Sequence, residues 1–240
     1  REINHFSAAS TFAEYAVVPA SGVMRVDERA PLEVVAIVGC AVMTGVGAVF
    51  NAADVRPGAT TAVIGCGGVG LSAVQGCRIA GARQVIAVDV ADEKLALASS
   101  LGATDVVNAQ REDAVAAVLG LTGDLGVEFA FETAGTIRTL QSALDFLQPA
   151  GMAIAIGVPP LDQELALKPA GLITTDKTLR GSLYGSCNFA RDVPLLIDLY
   201  LAGRLRLDEM IGRRYPLTEI NEALTGLETG NVARSIVRFE

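Results

Sequence analysis

The sequence predicts an α/β protein whose centre is a six-stranded, doubly wound parallel sheet. Three observations carry that expectation. From about Gly58 onward, short β-rich runs alternate with helical periods, the pattern of βαβ units with helices on both faces of a sheet. A glycine-rich turn, Gly65-Cys66-Gly67-Gly68-Val69-Gly70, joins the first of those runs to a stretch of small residues. Asp89 closes the next apolar run, nineteen positions after the last of these glycines.

The strands are expected at Thr61–Gly65, Gln84–Asp89, Asp105–Val107, Gly126–Phe131, Met152–Ile156 and Thr178–Tyr184. The first helix, Leu71–Ala80, carries Gly70, Ala73, Val74, Cys77 and Gly81 on one face, small enough to lie close on the sheet. A second runs from about Asp92 to Leu101, with acids in its first turn and Gly102 at its end. A third spans about Glu112–Leu121, and a fourth Ile137–Leu147, ended by Pro149 and Gly151. Right-handed crossovers then set the topology.

The ends of the chain follow a different pattern. Thr11–Pro19 reads as extended, and Pro31 opens a long apolar helix. Beyond residue 187 come a helix near Arg191–Leu201, another near Leu217–Leu227 and a last strand, Ser235–Phe239. The expected division is therefore 1–41, 42–187 and 188–240, with the two flanks forming parts of a second unit.

The glycine turn has a chemical meaning in this setting. Its first glycine permits a tight strand-to-helix turn, its second lets a pyrophosphate approach the backbone, and its third lets the helix lie on the sheet. Phosphate then meets the free N–H groups and positive end of the new helix. Gly65, Gly67, Gly68, Val69 and Gly70 are thus candidates for binding a dinucleotide. Asp89, with Val90 beside it, lies where a carboxylate accepts hydrogen bonds from ribose hydroxyls and repels a 2′-phosphate. The expected cofactor is NAD rather than NADP.

Composition narrows the alternatives. The 240 residues are 51% hydrophobic and 19% charged, which describes a folded protein with a substantial core. A net charge of -8 without a Lys/Arg cluster argues against nucleic acid or an anionic membrane as partner. Val34–Ala53 and Ala59–Cys77 carry no charge, yet the second holds the glycine turn and the first is rich in Ala and Gly, so both read as buried elements. No signal peptide is read at the start, which runs Arg-Glu-Ile-Asn-His. Cys40, Cys66, Cys77 and Cys187 form no CxxC pair, and reduced thiols in a cytoplasmic protein are expected.

Several motifs now line up in one order: His5-Phe6 with Ser10 to Tyr15, Gly39-Cys40 with Thr44-Gly45, the glycine turn, Asp89, Gly102-Ala103-Thr104, Gly157-Val158-Pro159-Pro160 and Ala233-Arg234-Ser235. In this order the chain resembles the zinc-dependent medium-chain alcohol dehydrogenases, nearest to the class with classical alcohol dehydrogenases and glutathione- or mycothiol-dependent formaldehyde dehydrogenases. The resemblance implies a Rossmann domain flanked by remnants of a GroES-like catalytic domain. It implies hydride transfer between NAD and an alcohol, or a hemithioacetal adduct of formaldehyde, with zinc as Lewis acid. Cys40 resembles one ligand of the catalytic zinc, and Thr44 the residue that packs on the nicotinamide. Lys94 resembles a ribose contact, and Arg234 a partner of a pyrophosphate oxygen. Thr133 and Val158 are expected to line the nicotinamide pocket through backbone groups. A homodimer or homotetramer joined through residues 178–184 is also implied.

Each residue has a plainer reading beside this one. Cys40 suits a buried thiol in an apolar helix, Thr44 helix filler, Lys94 an exposed helix lysine, and Arg234 a surface charge on an edge strand. Cys66, Cys77 and Cys187 read as structural, and His5 as a surface or packing residue. The resemblance is also partial, since the family's other zinc ligands find no counterpart here and Cys40 alone does not hold a zinc. The chain is therefore expected to be the C-terminal part of such an enzyme and inactive alone. A complete, non-catalytic NAD-binding module and a zinc-free quinone oxidoreductase are the alternatives.

Overall fold

Five consecutive buried residues, Thr60–Ile64, form β1 at the centre of the main sheet. In the computed structural model, which describes residues 9, 11–228 and 233–239, β1 is joined by β2 (Gln84–Asp89), β3 (Asp105–Asn108), β4 (Val127–Glu132), β5 (Leu147–Ala155) and β6 (Thr178–Gly181). The order is β3-β2-β1-β4-β5-β6 and every neighbour is parallel. This is the expected doubly wound α/β sheet, with its switch in direction between β1 and β4. Register places Ile64 beside both Val88 and Glu132, and Asp89 beside Asn108. The carboxyl ends of the central strands thus open into one crevice.

Helices cover both faces. A continuous helix, α1, runs over Leu32–Ala53 and contains two π-helical stretches, Val38–Val42 and Ala48–Ala53. It is the one described helix long and apolar enough to cross a bilayer, but 61% of its most apolar window is buried inside the protein. Its partner is α2 (Gly68–Ala80). A Cβ on Gly45 would stand 2.2 Å from the Val69 carbonyl oxygen, so α1 and α2 cross with their backbones nearly touching. The expected division at residues 41 and 42 falls inside α1.

The crossovers continue with α3 (Asp92–Ser100), α4 (Ala114–Leu121, capped by the Asp113 carboxylate on the Ala116 N–H), α5 (Ile137–Asp145) and α6 (Pro169–Thr175). The C-terminal flank adds α7 (Phe189–Leu201), β7 (Ile211–Pro216), α8 (Ile220–Glu228) and β8 (Arg234–Arg238), with β7 and β8 paired parallel. One core packs α1, α2 and α7 on a face of the sheet, and a second packs α4 and α5 on the other.

Two boundaries differ from the sequence expectation for a backbone reason. Pro149 does not end a helix: α5 stops at Asp145, and Pro149 lies inside β5. Register with β4 jumps from Val127–Leu147 to Phe129–Met152, so the intervening bulge has no ladder bond for Pro149 to lose. β6 ends at Gly181 rather than Tyr184, because Tyr184, Gly185 and Ser186 turn at positive φ to pass beneath α1. There a Cβ on Gly185 would meet the Met43 carbonyl at 2.2 Å. Thr11–Pro19, expected to be extended, pairs with no strand among the described residues and exposes Tyr15 and Val17. α6 and β7 gave no sequence signal strong enough to assign: α6 is short, with Pro169 at its first position, and β7 carries Arg213 and Arg214 mid-strand.

Asp192 ties α7 to α1. Its buried carboxylate accepts the Asn188 N–H at 2.8 Å, the Asn51 amide at 3.3 Å and the Arg191 guanidinium at 2.9 Å. The Arg191 hydrogen bonds hold the Asp192 carboxyl below the usual carboxylate range, with the Asn188 N–H acting in the same direction. A depressed folded-state pKa stabilises the fold above the unfolded value of about 3.9 and loses that contribution as pH falls through the folded value. Asp192→Ala is expected to cost about 1–3 kcal/mol at pH 7 and to flatten the acid limb of the stability curve. Urea unfolding between pH 7 and pH 3 checks this, and an acid limb of unchanged slope would refute it.

Candidate functional site

Between β1 and α2 the chain turns within three residues. Gly65 takes φ of 91°, a left-handed conformation that only glycine adopts without cost. A Cβ on Gly70 would lie 1.7 Å from the Gly65 carbonyl oxygen, so the helix closes on the turn with no room for a side chain. A Cβ on Gly67 meets nothing within 4 Å, which leaves open space over the amino end of α2. The first N–H groups of a helix have no partner within it and face outward there. Val69 turns its carbonyl toward Gly45 of α1 and contributes backbone.

Thr133 locks this turn from below. Its hydroxyl lies 2.9 Å from the Ile64 carbonyl and 2.8 Å from that of Gly65, while its N–H donates to Ile64 at 2.9 Å. Its side chain is therefore occupied within the turn. Val158 is 75% exposed and follows Gly157, whose Cβ would meet the Gly135 nitrogen at 2.2 Å. The loops after β4 and β5 thus close on each other.

Beneath those loops lies a residue the sequence reading missed. Glu132, at the end of β4, is 1% exposed. One carboxylate oxygen accepts the Ala134 N–H at 2.9 Å, the Gly135 N–H at 2.8 Å and the Thr139 hydroxyl at 2.8 Å. Thr139 also closes a capping box with Thr136 at the start of α5. The available signal was an acid ending an apolar run, Phe-Ala-Phe-Glu, the pattern that singled out Asp89.

Asp89 sits at the rim of the turn. One oxygen accepts the Cys66 N–H at 2.6 Å; the other accepts Val90 at 2.7 Å and Ala91 at 3.0 Å. These three bonds fix the carboxylate and leave one of its about four lone-pair sites, on the oxygen that accepts Cys66, for a hydroxyl donor. Val90 is 58% exposed beside it, and Lys94 is half-buried in the first turn of α3. The Cys66 thiol is pushed up to about 12, by burial first and then by the Asp89 charge, against a smaller opposing effect of Lys94. A thiol held neutral is a packing group and no nucleophile.

Arg234 arrives from the far end of the chain. β8 sets its guanidinium against the glycine turn, where a Cβ on Gly68 would stand 2.6 Å from the Arg234 Nε. Arg234 is half-buried, and its guanidinium has no hydrogen-bond or ion-pair partner among the described residues. It also lines a cavity of about 400 Å³ with Phe12, Ile37, Cys40, Ser235 and Phe239. The Ser235 hydroxyl there is buried without a partner among the described residues.

Cys40 is exposed at the first π-helical stretch of α1, and Thr44, one turn on, is buried beside the Gly185 turn. All four cysteines are free. No group of three His, Cys, Asp or Glu side chains capable of holding a metal occurs among the described residues. The described residues by themselves do not fit a zinc site, which takes at least three protein ligands. His5 lies outside the described residues.

The structure thus gathers the glycine turn, Thr133, Asp89 and Arg234 at one crevice and places Cys40 in a cavity bordered by Arg234. A zinc-binding dehydrogenase family model matches residues 68–202. Among solved structures, the chain is similar to an alcohol dehydrogenase zinc-binding domain protein from Burkholderia ambifaria, with 37% identity, a TM-score of 0.93 and coverage of 98% of this chain and 63% of that one. It is similar to benzyl alcohol dehydrogenase from Acinetobacter calcoaceticus at 34% identity and a TM-score of 0.94, covering 98% and 64%. A structure described as a zinc-binding dehydrogenase from Sinorhizobium meliloti 1021 bound to NADP matches at 27% identity and a TM-score of 0.72, covering 78% and 54%. The chain spans less than two thirds of the length of each of these three.

Proposed function

Because the chain belongs to the zinc-binding dehydrogenase family, we propose that it forms the cofactor-binding part of an NAD-dependent oxidoreductase acting on alcohols or aldehydes, a hemithioacetal adduct of formaldehyde included. The observation that carries this reading is Arg234: a half-buried guanidinium without a partner among the described residues, set against Gly68 beside the open space at Gly67. A dinucleotide pyrophosphate offers the charge such a group requires.

The remaining residues follow from that anchor. Asp89, Val90 and Lys94 border the adenosine end. Gly65, Gly67, Gly68, Val69, Gly70 and Arg234 hold the pyrophosphate, and Thr44, Thr133 and Val158 border the nicotinamide end. A bound nicotinamide supplies the hydride-accepting chemistry; this chain supplies its position. Cys40 serves as a thiolate ligand of zinc only jointly with ligands beyond the described residues. On this reading residues 42–187 are the nucleotide-binding unit, with 1–41 and 188–240 belonging to a GroES-like second unit. The exposed edge of β6 joins two copies, and the free thiols suit a cytoplasmic protein.

Titration with NADH and NADPH, followed by cofactor fluorescence, tests the reading. NADH is expected to bind more tightly than NADPH. Arg234→Met is expected to weaken NADH about tenfold without lowering the melting temperature. Undiminished NADH affinity in that variant, or tighter binding of NADPH by the unaltered protein, would reject the respective assignment.

A further inference from the structure

Asp89 has a neighbour that bears on the ribose edge. Its register partner on β3 is Asn108, and the Ala109 N–H donates to the Asp89 carbonyl at 3.0 Å, so the two strand ends are bonded together. Asn108 is largely buried, and its amide donates to Asp92 at 2.7 Å. The second Asp92 oxygen pairs with the guanidinium of Arg111, on the turn that Asn108 opens through its own carbonyl groups. Asn108, one strand spacing from Asp89, thereby fixes Asp92, and Asp92 fixes Arg111.

The charges at this edge are Asp89, Asp92 and Glu93 against Lys94 and Arg111. A 2′-phosphate brings nearly two further negative charges and seeks bidentate guanidinium contact. Arg111 would be the side chain for it, being exposed and on a turn, but one of its terminal amino groups is paired with Asp92, which fixes the direction of the guanidinium. Resting on the dinucleotide reading above, we infer that cofactor preference here is set by two acids acting differently: Asp89 meets the ribose, whereas Asp92 determines specificity by holding Arg111 away from a 2′-phosphate. Exposed ion pairs contribute little to stability, so the pair can be opened without unfolding the protein.

The test is a titration of the unaltered protein, Asp92→Asn, Asp89→Ala with Asp92→Asn, and each of the two Asp92 variants with Arg111→Ala added, using NADH and NADPH as ligands. Asp92→Asn keeps the bond to Asn108 and releases Arg111. It is expected to raise the NADPH-to-NADH affinity ratio about threefold, the most that opening an exposed pair allows being about fivefold. The double variant is expected to raise it further, and Arg111→Ala to erase the part gained through Asp92. An unmoved ratio in Asp92→Asn, or a gain that survives Arg111→Ala, overturns the inference while normal NADH binding leaves the dinucleotide reading intact. If the unaltered protein binds neither nucleotide, the dinucleotide reading fails and takes this inference with it.

Discussion

Gly70→Ala is expected to abolish nucleotide binding and to destabilise the fold by about 3 kcal/mol, the upper end of what overpacking usually costs. The added methyl would fall 1.7 Å from the Gly65 carbonyl oxygen, a backbone atom, so no flexible side chain can absorb the overlap. α2 must move away from β1, and with it the amino-terminal N–H groups that face the crevice. The loss of NADH affinity should be at least about 100-fold, equivalent to about 2.7 kcal/mol. Thermal unfolding and NADH fluorescence measure the two effects. Gly120→Ala is the control: it lies in α4 with nothing within 4 Å of an added Cβ and should stabilise by about 0.5–1 kcal/mol. Equal behaviour of the two variants would show that the turn tolerates a side chain and that the close approach has no functional weight.

Glu132→Ala should have the other large effect. It strips a single buried acceptor from two backbone N–H groups and the Thr139 hydroxyl. Each orphaned donor costs about 1–3 kcal/mol, and because the three share one oxygen the expected total is about 3–5 kcal/mol rather than their sum. The loop from Thr133 to Gly135 would then loosen, and with it the Thr133 hydroxyl that locks Gly65. NADH binding should weaken along with stability. Glu132→Gln retains an acceptor oxygen and should recover most of both. A Glu132→Gln protein as unstable as Glu132→Ala would mean that the charge, rather than the accepted hydrogen bonds, holds the loop.

How far the sequence reached can be judged from particular residues. β2 was legible to the residue, because an apolar run bounded by Arg83 and Asp89 contains its own start and stop. β1 and the start of α2 were legible within a few residues, because glycine spacing encodes the turn. Pro149 misled for the opposite reason. A proline announces a missing N–H, but whether that N–H was needed depends on the register of a neighbouring strand. The early end of β6 has the same character, since the turn at Tyr184 to Ser186 exists to pass under α1. Glu132 carried the signal that marked Asp89, yet only burial distinguishes an acid that braces a loop from one that faces a crevice.

Sequence by itself determined the local facts: which runs are strands, where only glycine fits, and that an acid stands at the end of β2. These depend on backbone sterics and side-chain period over a few residues, which any short window contains. Tertiary structure alone decided which distant groups meet. It brought Arg234 onto Gly68, set Arg111 on Asp92 beside Asp89, and left Cys40 without two further metal ligands among the described residues. Those encounters join segments far apart in the chain, and no local preference encodes them; they follow from how the sheet is wound and how β8 returns to lie beside α1.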